Sequence, residues 1–230
     1  MKLLLFDVDA TLILTGGAGL RALARAFRTL YGVEDAMNGV SPSGKTDPSI
    51  VREIFLTKLA EVQPIEGRIP DVLEAYITYL HEEVESSETY RILPGIAELL
   101  EQLAVRGDVL MGLATGNIER GARIKLARGN LNRYFSFGGF GSDSENRTSL
   151  VRRAADMAVG KNGVSLGSNE IFVIGDTPRD VDAGRDAGFR TVGVATGQYT
   201  VEELRLCGAD IVIPDFREGR DYFLRSTFIL

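Results

Sequence analysis

The stretch Leu3-Leu4-Leu5-Phe6-Asp7-Val8-Asp9-Ala10-Thr11 decides the fold. A short run without a polar residue suits a strand buried on both faces, as in a parallel sheet. Two carboxylates two residues apart then stand at its end. Like charges at close range repel, and burial raises the cost unless a cation neutralises them. A solvated strand end with an Asx-turn would explain this motif if it stood alone.

A second stretch repeats the pattern. Ile171-Phe172-Val173-Ile174-Gly175 runs into Asp176-Thr177-Pro178-Arg179-Asp180. Pro178 is placed to start a helix, which puts Asp180 in its first turn. If the two strands are parallel neighbours, both acidic clusters meet at the carboxyl edge of the sheet, where α/β folds bind ligands. The carboxylates Asp7, Asp9, Asp176 and Asp180 with no His or Cys make an oxygen-only site. That composition selects Mg²⁺ over zinc or copper.

Similar apolar runs lie at residues 3–8, 109–114, 136–140, 170–174 and 190–194, with a sixth candidate at 210–213. From Pro94 onward they alternate with helical stripes such as Ile96, Leu99, Leu100 and Leu103, or Leu150, Ala154, Met157 and Ala158. This alternation predicts a doubly wound parallel α/β sheet. Residues 16–90 break it. Leu20, Leu23, Ala24 and Phe27 form one helical stripe; Ile50, Val51, Ile54 and Phe55 a second; Val72, Tyr76, Tyr79 and Leu80 a third. All three read as ordinary core packing. They predict a helical lobe at 16–91 inserted into a core made of 1–15 and 92–230, with Gly16, Gly17, Gly19 and Pro94-Gly95 as hinges.

Composition narrows the chemistry. The 230 residues carry 26 Lys and Arg against 32 Asp and Glu, a net charge of −6, which argues against a nucleic-acid partner. One cysteine, Cys207, excludes an internal disulfide, and one histidine, His81, removes most imidazole catalysis. The apolar start is broken at once by Asp7 and Asp9, shorter than the roughly 7–15 residues of a signal-peptide core. No run approaches the ~20 apolar residues of a membrane span. A cytoplasmic protein is the expectation.

Two further sites complete the order. Met111–Asn117 reads as a strand ending in Thr115-Gly116, where a hydroxyl and a backbone N–H can converge on an anion. Arg147 precedes a helix and can grip a phosphoryl group from the side. The sequence of Asp-x-Asp, Thr-Gly, basic residue and Gly-Asp-x-x-x-Asp resembles the haloacid dehalogenase-like hydrolase superfamily, over nearly the whole chain. The resemblance implies an inserted α-helical cap at 16–91 and a Mg²⁺-dependent phosphatase, phosphoglycolate phosphatase-like, acting on a small phosphorylated metabolite. It implies Asp7 as nucleophile, Asp9 as general acid and base, and Thr115, Gly116 and Arg147 as phosphate ligands. Asp7, Asp9 (through its carbonyl), Asp176 and Asp180 would serve the metal. A phosphoglucomutase-like transferase and a 2-haloacid dehalogenase remain alternatives; the second would need neither Mg²⁺ nor Asp9, Asp176 and Asp180.

Three positions depart from the pattern or compete with it. The family often has Gly where Ala10 stands. Its basic residue is commonly Lys followed by Pro, whereas Arg147 is followed by Thr148; Lys161 is a rival, but only 15 residues separate it from Asp176. Finally, residues 39–46 satisfy the G-x-x-x-x-G-K-[ST] nucleotide pattern, yet no buried strand precedes them and Asp47-Pro48 suits a fresh helix start. The resemblance instead makes Lys45 and Thr46 part of a cap loop that sets specificity, Lys45 meeting an anionic group of the substrate.

Overall fold

A computed structural model describes residues 1–62, 64–163 and 165–224. In chain order the elements are β1 (Lys2–Phe6), β2 (Ile13–Leu14), α1 (Ala18–Tyr31), α2 (Asp47–Lys58), α3 (Ile69–Glu85), β3 (Arg91–Ile92) and α4 (Ile96–Ala104). Next come β4 (Val109–Thr115), α5 (Glu119–Ala127), β5 (Gly138–Phe140), α6 (Arg147–Asn162), β6 (Ile171–Gly175), α7 (Pro178–Ala187), β7 (Arg190–Val194), α8 (Val201–Leu206), β8 (Ile211–Ile213) and α9 (Arg220–Leu224).

Six strands form one parallel sheet in the order β5-β4-β1-β6-β7-β8. The central strand shows why its sequence has no alternation. Leu4 and Phe6 enter a core shared with Leu99, Leu100 and Leu103 of α4, while Leu3 and Leu5 enter another with Leu150, Ala154 and Ala158 of α6. Helices therefore cover both faces, and a doubly wound α/β sheet results. The expected strands are all present, with ends shifted by a few residues. β1 stops at Phe6, so Asp7 is the first residue past the strand.

The inserted helices α1–α3 close around an apolar core of their own, centred on Phe27 and Phe55, whose rings meet edge to face at 5.2 Å. Arg21 and Arg25 of α1 pair with Glu82 and Glu83 of α3 along the outside. Where the chain enters and leaves this lobe, β2 and β3 pair antiparallel, Ile13 with Ile92 and Leu14 with Arg91. Two expected core residues are exposed, and Ala24 and Tyr79 are half-buried. Leu20 and Met157 are each about two-fifths exposed, and the reason for Leu20 lies in the site below. No described helix is long and apolar enough to cross a membrane.

Candidate active site

Adjacent strands β4, β1 and β6 end together, and each delivers a polar residue to the same edge. Asp7 comes directly after β1, its N–H bonded to the Ile174 carbonyl at 2.9 Å; Thr115 ends β4; Asp176 comes directly after β6. One carboxylate oxygen each from Asp7, Asp176 and Asp180 lies within 4.8 Å of the others, and all three residues are buried. Burial and then the nearby Asp180 raise the Asp7 carboxyl to about 7. The same causes, in the same order, raise Asp176 to about 8. Three carboxylates faced by one guanidinium leave the cluster short of positive charge, and every donor is oxygen. That set fits a hard divalent cation.

Asp180 is held by the helix it begins. Its Oδ2 accepts from the Thr177 N–H at 3.1 Å and the Thr177 hydroxyl at 2.7 Å, closing the first turn of α7. Its Oδ1 pairs with Arg147. A Cβ on Gly175 would collide with this carboxyl group, which is why the Gly-Asp pair begins with glycine.

Arg147 starts α6 with its side chain 10% exposed, and its Nη2 stands 3.7 Å from Asp7 Oδ1. Its Nε is a buried donor without a hydrogen-bond partner among the described residues. Lys161, the rival, is an exposed residue in the last turn of α6 that donates to the Ser136 carbonyl at 3.0 Å. It does not reach the acidic cluster.

Thr115 is shaped by Asn117, whose Nδ2 donates to the Thr115 hydroxyl at 2.8 Å. Accepting that bond leaves the hydroxyl proton free to turn toward Asp7, whose charged form Thr115 favours. Gly116 has a reason beyond anion binding. The Lys45 carbonyl presses against the place a Cβ would take, and the Gly116 carbonyl accepts the Asp47 N–H at 2.8 Å. The helical lobe docks on the sheet edge through this glycine.

The Asp9 carboxylate stands outside the carboxylate trio. Its Oδ2 accepts from Lys125 Nζ at 2.6 Å and Asn117 Nδ2 at 2.8 Å. Ala10 beside it adopts φ 57°, the left-handed region that suits the family's usual glycine.

Lys125 and Tyr76 are site residues outside the sequence motifs, and Asn117 and Asp47 end two of those motifs without a role that the motifs assign. Lys125 is buried on α5 with Gly121, Ala122 and Leu126, a lysine in an apolar stripe, and that misfit is the one available signal. Burial works against its charge, but Asp9, Tyr76 and Asp47 outweigh it and hold the ammonium above its ordinary range. Asp47, from the lobe, accepts the Ile118 N–H at 2.8 Å, and burial raises its carboxyl to about 6.

The 39–46 segment is no phosphate loop. Turns precede it, Thr46 is a buried N-cap that exchanges hydrogen bonds with Ser49, and Pro48 sits in the first turn of α2. The Lys45 side chain pairs with Glu53 and, with Thr46 and Arg147, lines a pocket beside the catalytic cavity. A loop residue's direction obeys no periodicity, and here the α2 carboxylate captures it.

Residues 4–194 match the family of haloacid dehalogenase-like hydrolases. The chain belongs to that family. Among haloacid dehalogenase-like relatives, the phosphoglycolate phosphatase of Pectobacterium atrosepticum is 26% identical over 221 residues, covering 94% of this chain and 89% of the relative. The N-acetylmuramic acid 6-phosphate phosphatase of Pseudomonas aeruginosa is 25% identical, covering 98% and 96%. CbbY from Rhodobacter sphaeroides, solved in complex with phosphate, superposes with a TM-score of 0.73 at 21% identity, covering 95% and 96%. The chain is thus a haloacid dehalogenase-like hydrolase whose relatives include phosphatases.

Proposed function

We propose that the chain is a Mg²⁺-dependent phosphatase that hydrolyses a small phosphorylated metabolite through phosphorylated Asp7, with residues 16–91 as a cap. The observation that carries this is the convergence of Asp7, Asp176 and Asp180 beneath Arg147 and Thr115. Asp7, Asp176 and the Asp9 carbonyl would hold Mg²⁺, with Asp180 in support; the ion would supply charge neutralisation, letting a carboxylate meet a phosphate dianion.

Asp7 attacks phosphorus and forms an acyl phosphate, dividing one hard displacement into two. The Thr115 hydroxyl, the Gly116 N–H and Arg147 hold the phosphoryl oxygens. Because Lys125 and Asn117 occupy Asp9 Oδ2, Oδ1 is the atom free to exchange a proton. It protonates the leaving oxygen, then takes a proton from the water that attacks phospho-Asp7. A dehalogenase would use Asp7 as its nucleophile but would not need Asp9, Asp176 and Asp180, which weighs against that alternative.

The test is hydrolysis of para-nitrophenyl phosphate with Mg²⁺. Turnover that stops on chelation and returns with added Mg²⁺ is expected. Full turnover in chelator would contradict the proposal.

A further inference from the structure

The sheet edge and the cap enclose a cavity of about 410 Å³, within the usual size of small-molecule sites. Asp7, Thr115, Arg147 and Asp176 line its catalytic end. Leu14, Leu20, Leu23, Pro42 and Ile50 form an apolar wall beyond it, beside the polar Thr15, Ser43, Thr89 and Gln198. Leu20 explains itself here: although 40% exposed, it faces this cavity from the first turn of α1. An apolar side chain kept open to water at that point gains from being covered by apolar substrate.

The charges point the same way. Two of the lining cations are already committed, Lys125 to Asp9 and Arg147 to Asp7 and Asp180. Asp9 and the buried Asp47 add lining carboxylates that repel a second anionic group. Lys45, the expected anion receptor, is paired with Glu53 instead. Arg91 remains as a lining cation, exposed and with no ion-pair partner among the described residues.

From these we infer that the leaving group is an uncharged alcohol with an apolar alkyl or aryl body, seated against Leu14, Leu20, Leu23 and Ile50. The inference rests on the phosphatase reading. It sets this chain apart from an enzyme for phosphoglycolate, whose leaving group is a short carboxylate.

The experiment compares kcat/KM for straight-chain monoalkyl phosphates, benzyl phosphate and phosphoglycolate, with para-nitrophenyl phosphate as a common reference. The wild type should gain roughly three- to fourfold per added methylene until the wall is reached, and should turn over phosphoglycolate more slowly than the longer alkyl phosphates. Leu20→Arg, at a partly exposed position the fold tolerates, should move the phosphoglycolate-to-hexyl ratio by roughly 10–100-fold toward phosphoglycolate. Rates independent of chain length overturn the inference. So does a wild-type preference for phosphoglycolate that disappears in Arg91→Ala, which would make Arg91 the receptor of an anionic end. In both cases the phosphatase reading survives, whereas failure of every phosphate ester, the reference included, overturns both.

Discussion

Lys125 Nζ donates to Asp9 Oδ2 at 2.6 Å and to Asn117 Oδ1 at 2.5 Å, from a position almost closed to water. Asp47 and Tyr76 of the cap stand on its other side. The residue proposed to move the proton is therefore oriented by a lysine that the cap helps to enclose. Lys125→Met should lower kcat by roughly 10–100-fold, the worth of a hydrogen bond to a charged group. KM should change little, because Thr115 and Arg147 hold the phosphoryl group. Steady-state kinetics on an alkyl phosphate checks this, and an unchanged kcat would remove Lys125 from the account.

Ala10 makes a separate prediction about stability. A left-handed alanine is strained by roughly 1–2 kcal/mol, and glycine gives back about 0.4–1 kcal/mol of that through the freer unfolded chain. Ala10→Gly should thus be neutral or stabilising by up to about 1.6 kcal/mol in denaturant unfolding. Clear destabilisation would mean that φ 57° carries no strain in this loop.

Much of this site is legible in the sequence because period and burial are sequence properties. A run such as Leu3 to Phe6, short and without alternation, suits a strand covered on both faces, and the residue after its last then lies at the sheet edge. Asp7, Asp176 and Thr115 are located by that rule. Directions of individual side chains are not legible. Leu20 has the spacing of a core residue, yet it begins α1 at the overhang of the cavity and faces the opening. Lys45 has the chemistry of an anion receptor but is taken by Glu53. Lys125 acts through residues distant in sequence, Asp9 and Asp47, which no local pattern connects.

The acidic edge makes metal-free stability depend on pH. Asp7, Asp176 and Asp47 titrate near 7, 8 and 6 in the folded chain, against an ordinary value of 3.8. Between about pH 4 and about pH 8 the folded state thus binds more protons than the unfolded one, and stability falls as pH rises. In chelator, Tm should drop from about pH 5 to about pH 8, and added Mg²⁺ should raise it most at the alkaline end. A Tm that rises across this range without metal would contradict the burial of these carboxylates.

The cap contact at Gly116 is testable by a single methyl group. Gly116→Ala sets its Cβ against the Lys45 carbonyl and forces the cap back from the sheet edge. A displacement of this kind, near the reacting atoms, should reduce kcat/KM by on the order of 10²-fold. Thermal unfolding of the variant, read beside its kinetics, separates a shifted cap from a collapsed fold. Wild-type kinetics in Gly116→Ala would show that the cap contact is not needed for turnover.

The central claim is that Asp7 carries the phosphoryl group. The direct measurement is acid quench during turnover of a phosphate ester, followed by peptide mass spectrometry. It is best made in Asp9→Asn, where loss of the general base should slow dephosphorylation by roughly 10²–10⁴-fold. The account predicts a phosphorylated peptide spanning Asp7, released by hydroxylamine as an acyl phosphate is, and absent from Asp7→Asn together with nearly all turnover. Phosphorylation at another residue, or wild-type turnover by Asp7→Asn, would contradict it.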